Sequence, residues 1–184
     1  MPDYRRANFE GGYYFFTVVT FRRMKFLTDN LSRDCLRLAF GKVKEKRPFD
    51  NVAMCVLPDH LHYIWKLPDG DSDFSTRWNS VKSLFTKTYL KSGGYEGKRN
   101  VSRIRTGEAA VWQRRFWEHR IRDENDLQKR IDYIHYNPVK HGLVTNINDW
   151  PWSTYQKFVQ NGFYGETKLN DMKRSCESIN YAGE

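Results

Sequence analysis

Apolar residues recur along this chain with two different periods, and the changes of period mark its elements. Gly12–Phe21 (GYYFFTVVTF) is dense in aromatic and β-branched residues and too short for a helix, which predicts a buried strand. In Asp29–Lys46 the period changes. Leu36, Ala39, Phe40 and Val43 stand at i, i+3, i+4 and i+7, an amphipathic helix stopped by Pro48. Asn51–Leu57 is a second apolar strand. Pro58-Asp59 breaks it, and His60–Lys66 alternates as a third, so the two read as a hairpin. After a polar turn at Asp69–Asp73, the positions of Phe74, Trp78, Val81, Phe85 and Tyr89 predict a second helix. Ser92–Ala109 is rich in Gly, Lys and Arg and reads as a mobile basic loop. Val111–Arg122 alternates as a fourth strand. Asp123 then caps a third helix with Leu127, Ile131 and Ile134 as its stripe and Pro138 near its end. Strand, helix, strand, strand, helix, strand is the order of an α+β, ferredoxin-like antiparallel sheet with helices packed on it. The division expected is one domain over residues 1–155 and a polar tail over 156–184. Trp150, Trp152 and Tyr155 read as a packing anchor for the C-terminal segment before a platform for bases.

Composition narrows the partner class. Lys plus Arg number 31 against 22 Asp plus Glu, a net charge of +9 over 184 residues. Aromatic residues make up 16%, which argues against a disordered chain. No apolar run reaches the roughly 20 residues of a membrane span, and the start of the chain has no signal-peptide layout. Cys35, Cys55 and Cys176 are odd in number and lack metal-finger spacing, so a cytoplasmic protein is expected. Basic charge with many aromatics favours nucleic acid, because cations bind phosphate and rings stack on unpaired bases.

Two segments carry candidate chemistry. In Pro58-Asp59-His60-Leu61-His62-Tyr63-Ile64-Trp65, His60 and His62 are two apart on a strand and project from one face. Leu61, Tyr63 and Trp65 then face covering helices. Two adjacent imidazoles suit a divalent ion, and a pair of surface or hydrogen-bonded histidines is the plain alternative that the spacing alone favours. In Asp132-Tyr133-Ile134-His135-Tyr136-Asn137-Pro138, Tyr133 and Asn137 are four apart and share a helix face. That face lies about 90° from the apolar stripe, so the phenol and amide are expected along the helix edge. A boundary aromatic and a helix cap are the plain alternative. Together the segments supply two nitrogens, an amide and a phenol.

Several blocks, in this order, resemble one family: YRRANFEGGYYFFTVVT at residues 4–20, LPDHLHYIWKLPDGDSDFSTRW at 57–78, WQRRFWEHRIRDE at 112–124, DYIHYNPVKHGLV at 132–144 and DWPWSTY at 149–155. The chain resembles the REP-associated tyrosine transposases, relatives of the single-strand insertion-sequence transposases within the HUH endonuclease superfamily. The resemblance implies that His60 and His62 hold a divalent metal ion, Mg2+ or Mn2+. It implies that Asn137 completes the metal site, where insertion-sequence relatives often carry Gln. Tyr133 is the implied nucleophile rather than Tyr136, because it precedes the Ile and stands four before the ligand. His119 is expected to order the site or core, and His135 and His141 to be structural or solvent-facing.

The implied substrate is single-stranded DNA at hairpins of repetitive extragenic palindromes, with a short tetranucleotide beside the hairpin. The implied activity is metal-dependent nicking and rejoining through a 5′-phosphotyrosine. A hairpin-binding protein without catalysis is the alternative from a different class, and a His-x-His hydrolase with no covalent intermediate is a third reading. Arg5, Arg6, Lys98, Arg99, Arg103, Arg105, Arg114, Arg115, Arg120 and Arg122 are the cations expected to offer phosphate contacts. A monomer is expected.

Overall fold

A computed structural model describes residues 11–164 and 172–173. Arg5, Arg6, Cys176 and most of the segment after Tyr164 lie outside the described residues. Strands β1 (Gly12–Val19), β2 (Asp50–Val56), β3 (His60–Leu67) and β4 (Trp117–Arg120) form one antiparallel sheet in the order β2-β3-β1-β4. Helices α1 (Asn30–Lys46) and α2 (Phe74–Lys91) pack together on one face. This is the ferredoxin-like arrangement expected from the order of elements. Helix α4 (Glu124–Lys140), which follows β4, covers the opposite face. The sheet is therefore the middle of three layers.

Strand alternation sorts the side chains between those layers. Tyr14, Phe16 and Val18 of β1 join Leu61, Tyr63 and Trp65 of β3 in the core under α1 and α2. Trp65 lies parallel to Trp78 of α2 with ring centroids 4.4 Å apart. Phe16 meets both Trp65, at 4.9 Å, and Trp78, at 5.5 Å. Such pairs add about 0.5–1.5 kcal/mol each beyond the area they bury. The other face is thinner in apolar surface. There Phe15, Ala53, Cys55 and Ile64 meet Ile131, Tyr133 and Ile134 of α4, and Thr17, His60 and His62 lie buried on the same side.

Three expectations are corrected. The 92–109 segment is not a featureless basic loop: Arg103 is spent on backbone carbonyls and Arg99 on Glu96, while Lys98 and Arg105 stay exposed. It contains a short helix, α3 (Val101–Thr106), capped by Asn100. The Arg103 side chain is buried and donates to the carbonyls of Ala109 (2.5 Å) and Trp112 (2.9 Å). Glu96 accepts from the Ala110 amide at 2.7 Å. The fourth strand is also shorter than the pattern suggested. Trp112 bridges Thr20, but pairing with β1 resumes only at Trp117, so Val111–Phe116 interrupts the strand. Lastly, β1 ends at Val19, where the chain turns through Arg22 and Arg23 with positive φ of 51° and 55°.

The chain beyond 149 closes the β2 edge. Val56 donates its amide to Trp152 O at 2.8 Å, and Thr154 donates to Met54 O at 2.9 Å. Trp150 Nε1 donates to Val56 O at 3.0 Å, in keeping with the expected packing anchor. Helix α5 (Tyr155–Gln160) follows, and Tyr164 returns to α4. His135 of α4 joins these pieces through Tyr164 Oη (2.7 Å) and Thr154 Oγ1 (2.8 Å). Burial pulls the His135 pKa down to about 3, so the ring is neutral in the folded protein.

This sets an acid sensitivity. The folded pKa lies below the ordinary value of 6.5, so the unfolded chain binds the proton more tightly. The contribution of His135 is therefore complete above about pH 6.5 and is lost as pH falls towards about 3. His135→Gln keeps hydrogen-bonding capacity without a titrating ring. Its urea-unfolding stability should fall less between about pH 7 and about pH 4.5 than that of the unchanged protein; parallel declines would remove His135 from the account.

Candidate active site

The pairing register of β1 with β3 builds the first half of the site. Thr17 stands opposite His62, and Val19 opposite His60. Cross-strand neighbours on one face are within reach of each other, and Thr17 Oγ1 lies 3.0 Å from His62 Nδ1. His60 Nδ1 is held by Asp59 Oδ1 at 2.7 Å. The two imidazoles stand nearly perpendicular with ring centroids 4.9 Å apart. With both Nδ1 atoms engaged, Nε2 is the nitrogen through which either ring would coordinate an ion.

Asp59 is held in turn from the other side. The left-handed turn at Arg22 and Arg23 brings Arg23 Nη1 to Asp59 Oδ2 at 3.0 Å. Burial works against the Asp59 charge, but its hydrogen bonds to His60 and Arg23 outweigh that effect and hold its pKa down to about 2. It is thus a carboxylate throughout the physiological range. Two non-glycine residues in the left-handed region cost about 1–3 kcal/mol each, a strain placed next to the imidazole pair.

Helix α4 supplies the other half. Tyr133, Asn137 and His141 follow at four-residue spacing along one stripe at its C-terminal end. The Tyr133 ring meets His62 edge-on at 5.2 Å, and His141, just past the helix end, meets His60 at 5.3 Å. Asn137 lies midway between these two contacts on the same stripe. Tyr133 and Asn137 are fully buried against the sheet, which corrects the expectation that they lie along the helix edge. The polar stripe faces inward because the sheet beneath it carries the imidazoles. Lys140 Nζ donates to Tyr133 Oη at 3.3 Å and lies 4.9 Å from its ring centroid. Tyr136 is half-buried against the cluster of apolar residues beneath α4.

A metal ion fits the donors present. His60 Nε2 and both amide atoms of Asn137 are buried with no hydrogen-bond partner among the described residues. An orphaned polar atom costs about 1–3 kcal/mol, and a buried imidazole–amide set is a chemically sound cradle for a divalent cation. No group of three His, Cys, Asp or Glu suited to a metal occurs among the described residues.

The expected phosphate contacts divide. Arg105, Arg114, Arg115, Arg120 and Arg122 are exposed, although Arg114 pairs with Glu108 at 2.6 Å. Arg99 is half-buried and forked onto Glu96. Arg103 is a structural residue and is withdrawn from the DNA set. His119 Nε2 donates to the Asp126 carboxylate at 2.8 Å, and its ring stacks on Trp117. Asp59, Thr17, Arg23, Lys140 and His141 were not singled out for the site from the sequence. The spacing of Asn137 and His141 carried a signal for the last of these, whereas Thr17 becomes visible only through strand register.

Known proteins sharpen this geometry. The chain is 44% identical over 165 residues to the REP-associated tyrosine transposase of Escherichia coli K12, spanning 89% of this chain and 88% of that protein. The chain belongs to the REP-associated tyrosine transposases. A Haemophilus influenzae protein assigned to the same family is 42% identical over 167 residues, 90% of this chain and 92% of that one. A solved structure of a REP-associated tyrosine transposase bound to a REP hairpin matches with a TM-score of 0.78 and 40% identity. It covers 100% of this chain and 98% of that chain. No profile of a known protein family matches the chain. No described helix is long and apolar enough to cross a membrane.

The two kinds of arginine are separable by experiment. Arg103→Met leaves two carbonyls without their donor, removes one of the two arginines on Glu108, and should lower unfolding stability by about 2–3 kcal/mol. Arg115→Ala should stay within about 0.5 kcal/mol of the unchanged protein. Denaturant melts check both, and a harmless Arg103→Met would contradict its structural assignment.

Proposed function

We propose that the chain is a metal-dependent transposase that nicks and rejoins single-stranded DNA beside REP-type hairpins through a 5′-phosphotyrosine on Tyr133. One observation carries the reading: the Tyr133 phenol lies against His62 on the same buried stripe as Asn137, directly over the His60/His62 pair. Nucleophile and candidate metal ligands thus meet in one place. The hairpin comes from the similar protein whose solved structure holds one.

His60, His62 and Asn137 would hold Mg2+ or Mn2+. When bound, such an ion supplies Lewis-acid polarisation of the scissile phosphate. Tyr133 Oη attacks phosphorus as the P–O3′ bond breaks. The phenol loses its proton and the departing 3′ oxygen gains one. The products are a 5′-phosphotyrosine and a free 3′-hydroxyl. Attack by a DNA 3′-hydroxyl reverses the exchange, so strands rejoin without ATP. An unassisted phenol, with a pKa of about 10, is a weak nucleophile at neutral pH. Lys140 answers part of that need, since its ammonium donates to the oxygen on which negative charge develops. Asp59 and Thr17 orient the imidazoles, and the exposed arginines give distributed phosphate affinity.

Tyr133→Phe removes one oxygen and keeps the ring, so folding and hairpin affinity should persist while the covalent adduct disappears. Tyr136→Phe should retain the adduct. End-labelled single-stranded hairpins with Mn2+, resolved on denaturing gels, read both. An adduct formed by Tyr133→Phe would show the nucleophile to be another residue, and hairpin binding with no adduct in the unchanged protein would favour a silent binding protein.

A second measurement addresses the metal set. Asp59→Asn removes the charge holding His60 and should weaken Mn2+ binding by about 10–100-fold, read by titration calorimetry. Unchanged affinity would dismiss Asp59 as a positioning residue.

A further inference from the structure

On the sheet face opposite the imidazoles, a groove of about 450 Å³ runs between α1 and the Pro151–Ser153 segment. Its floor is aromatic, with half-buried Phe40 and Trp152 open to it and the buried rings of Phe49 and Tyr63 beneath. Its helical wall carries Arg33, Arg37 and Lys44. No carboxylate lines it. The volume falls in the roughly 300–1,000 Å³ range of small-molecule sites, and an aromatic floor with cationic walls suits flat rings joined by anionic linkers. Arg33 already lies over the Trp152 ring at 3.6 Å, and its Nε is buried with no hydrogen-bond partner among the described residues.

Gly41 gives an independent indication. It stands in the middle of α1 on the groove wall, where glycine costs about 1 kcal/mol relative to alanine. Neither usual reason for a helical glycine applies. Its φ is not positive, and a Cβ built there meets nothing within 4 Å. The space beside the helix is what the absent side chain leaves open.

We infer that this groove binds unpaired nucleotides of the substrate strand, bases on the aromatic floor and phosphates on Arg33, Arg37 and Lys44. The inference rests on the reading that the substrate is single-stranded DNA. Its position supports continuity with the candidate active site. Val56 at the groove end pairs with Leu61, the residue between His60 and His62, so the two sites lie back to back at the tip of one hairpin. A strand leaving the phosphotyrosine site reaches the groove by passing round that tip.

The test compares a hairpin carrying unpaired flanks with the same hairpin cut blunt, using the full chain. Gly41→Leu fills the groove without touching charge or the imidazole site, and Lys44→Glu reverses one wall charge on an exposed helix position. Both should weaken binding of the flanked hairpin at least tenfold and leave the blunt hairpin unaffected. Bromodeoxyuridine in the flank should photo-cross-link to Phe40 or Trp152. If both folded variants bind the flanked hairpin as tightly as the unchanged protein, the groove assignment is overturned while Tyr133 adducts still uphold the functional reading. Failure of the unchanged protein to bind either hairpin would overturn both. A change in sedimentation of the variants with no change in DNA binding would overturn the assignment in favour of a second copy of the chain.

Discussion

The antiparallel register of β1 against β3 is the constraint on which the site depends. A slip of one residue would turn His60 and His62 into the aromatic core and bring Leu61 and Tyr63 out towards α4. The register is held by the opposite face, where Tyr14, Phe16 and Trp65 stack beneath α2. The aromatic layer thereby fixes the chemistry of the layer behind it. The two faces of one sheet are unequal for this reason. One is packed for stability, and the other tolerates buried imidazoles, an amide and a phenol.

A buried polar set of this kind works against the fold unless each member has a use. Thr17 and Asp59 satisfy one nitrogen of each ring, and Arg23 satisfies Asp59. At the candidate site His60 Nε2 and both atoms of the Asn137 amide stay without a hydrogen-bond partner among the described residues. Buried polar groups in proteins nearly always find partners, so an amide with neither atom paired beside an open imidazole nitrogen asks for an explanation.

Much of the fold was legible because its signals are local. Aromatic and β-branched runs, the four-residue spacing in α1, α2 and α4, and Asp123 as a cap all act over a few residues. The three-layer arrangement also follows, since Leu61, Tyr63 and Trp65 alternate with His60 and His62. What was illegible depends on distant partners. A dense run of Lys and Arg looks solvated in one dimension, and only the fold shows Arg103 turning inward to carbonyls that would otherwise be orphaned. Val111–Arg122 alternates well enough for a strand, yet no periodicity reveals that its pairing with β1 is interrupted. Tyr133 was found by resemblance and spacing, but its contact with His62 required two elements some seventy residues apart to meet.

The seal on the β2 edge has a bearing on how the chain is made. Its hydrogen bonds join Met54 to Thr154, partners separated by 100 residues. A ribosome adding about 5–20 residues per second needs roughly 5–20 s to cover that interval. During that time β2 exists with its outer amides and carbonyls exposed, a template for any other extended chain. The closing segment is made long after β2, so the nascent protein passes through a period of stickiness that the finished one no longer shows. Its yield in a cell should therefore depend on synthesis rate and chaperone supply more than the stability of the completed fold would suggest.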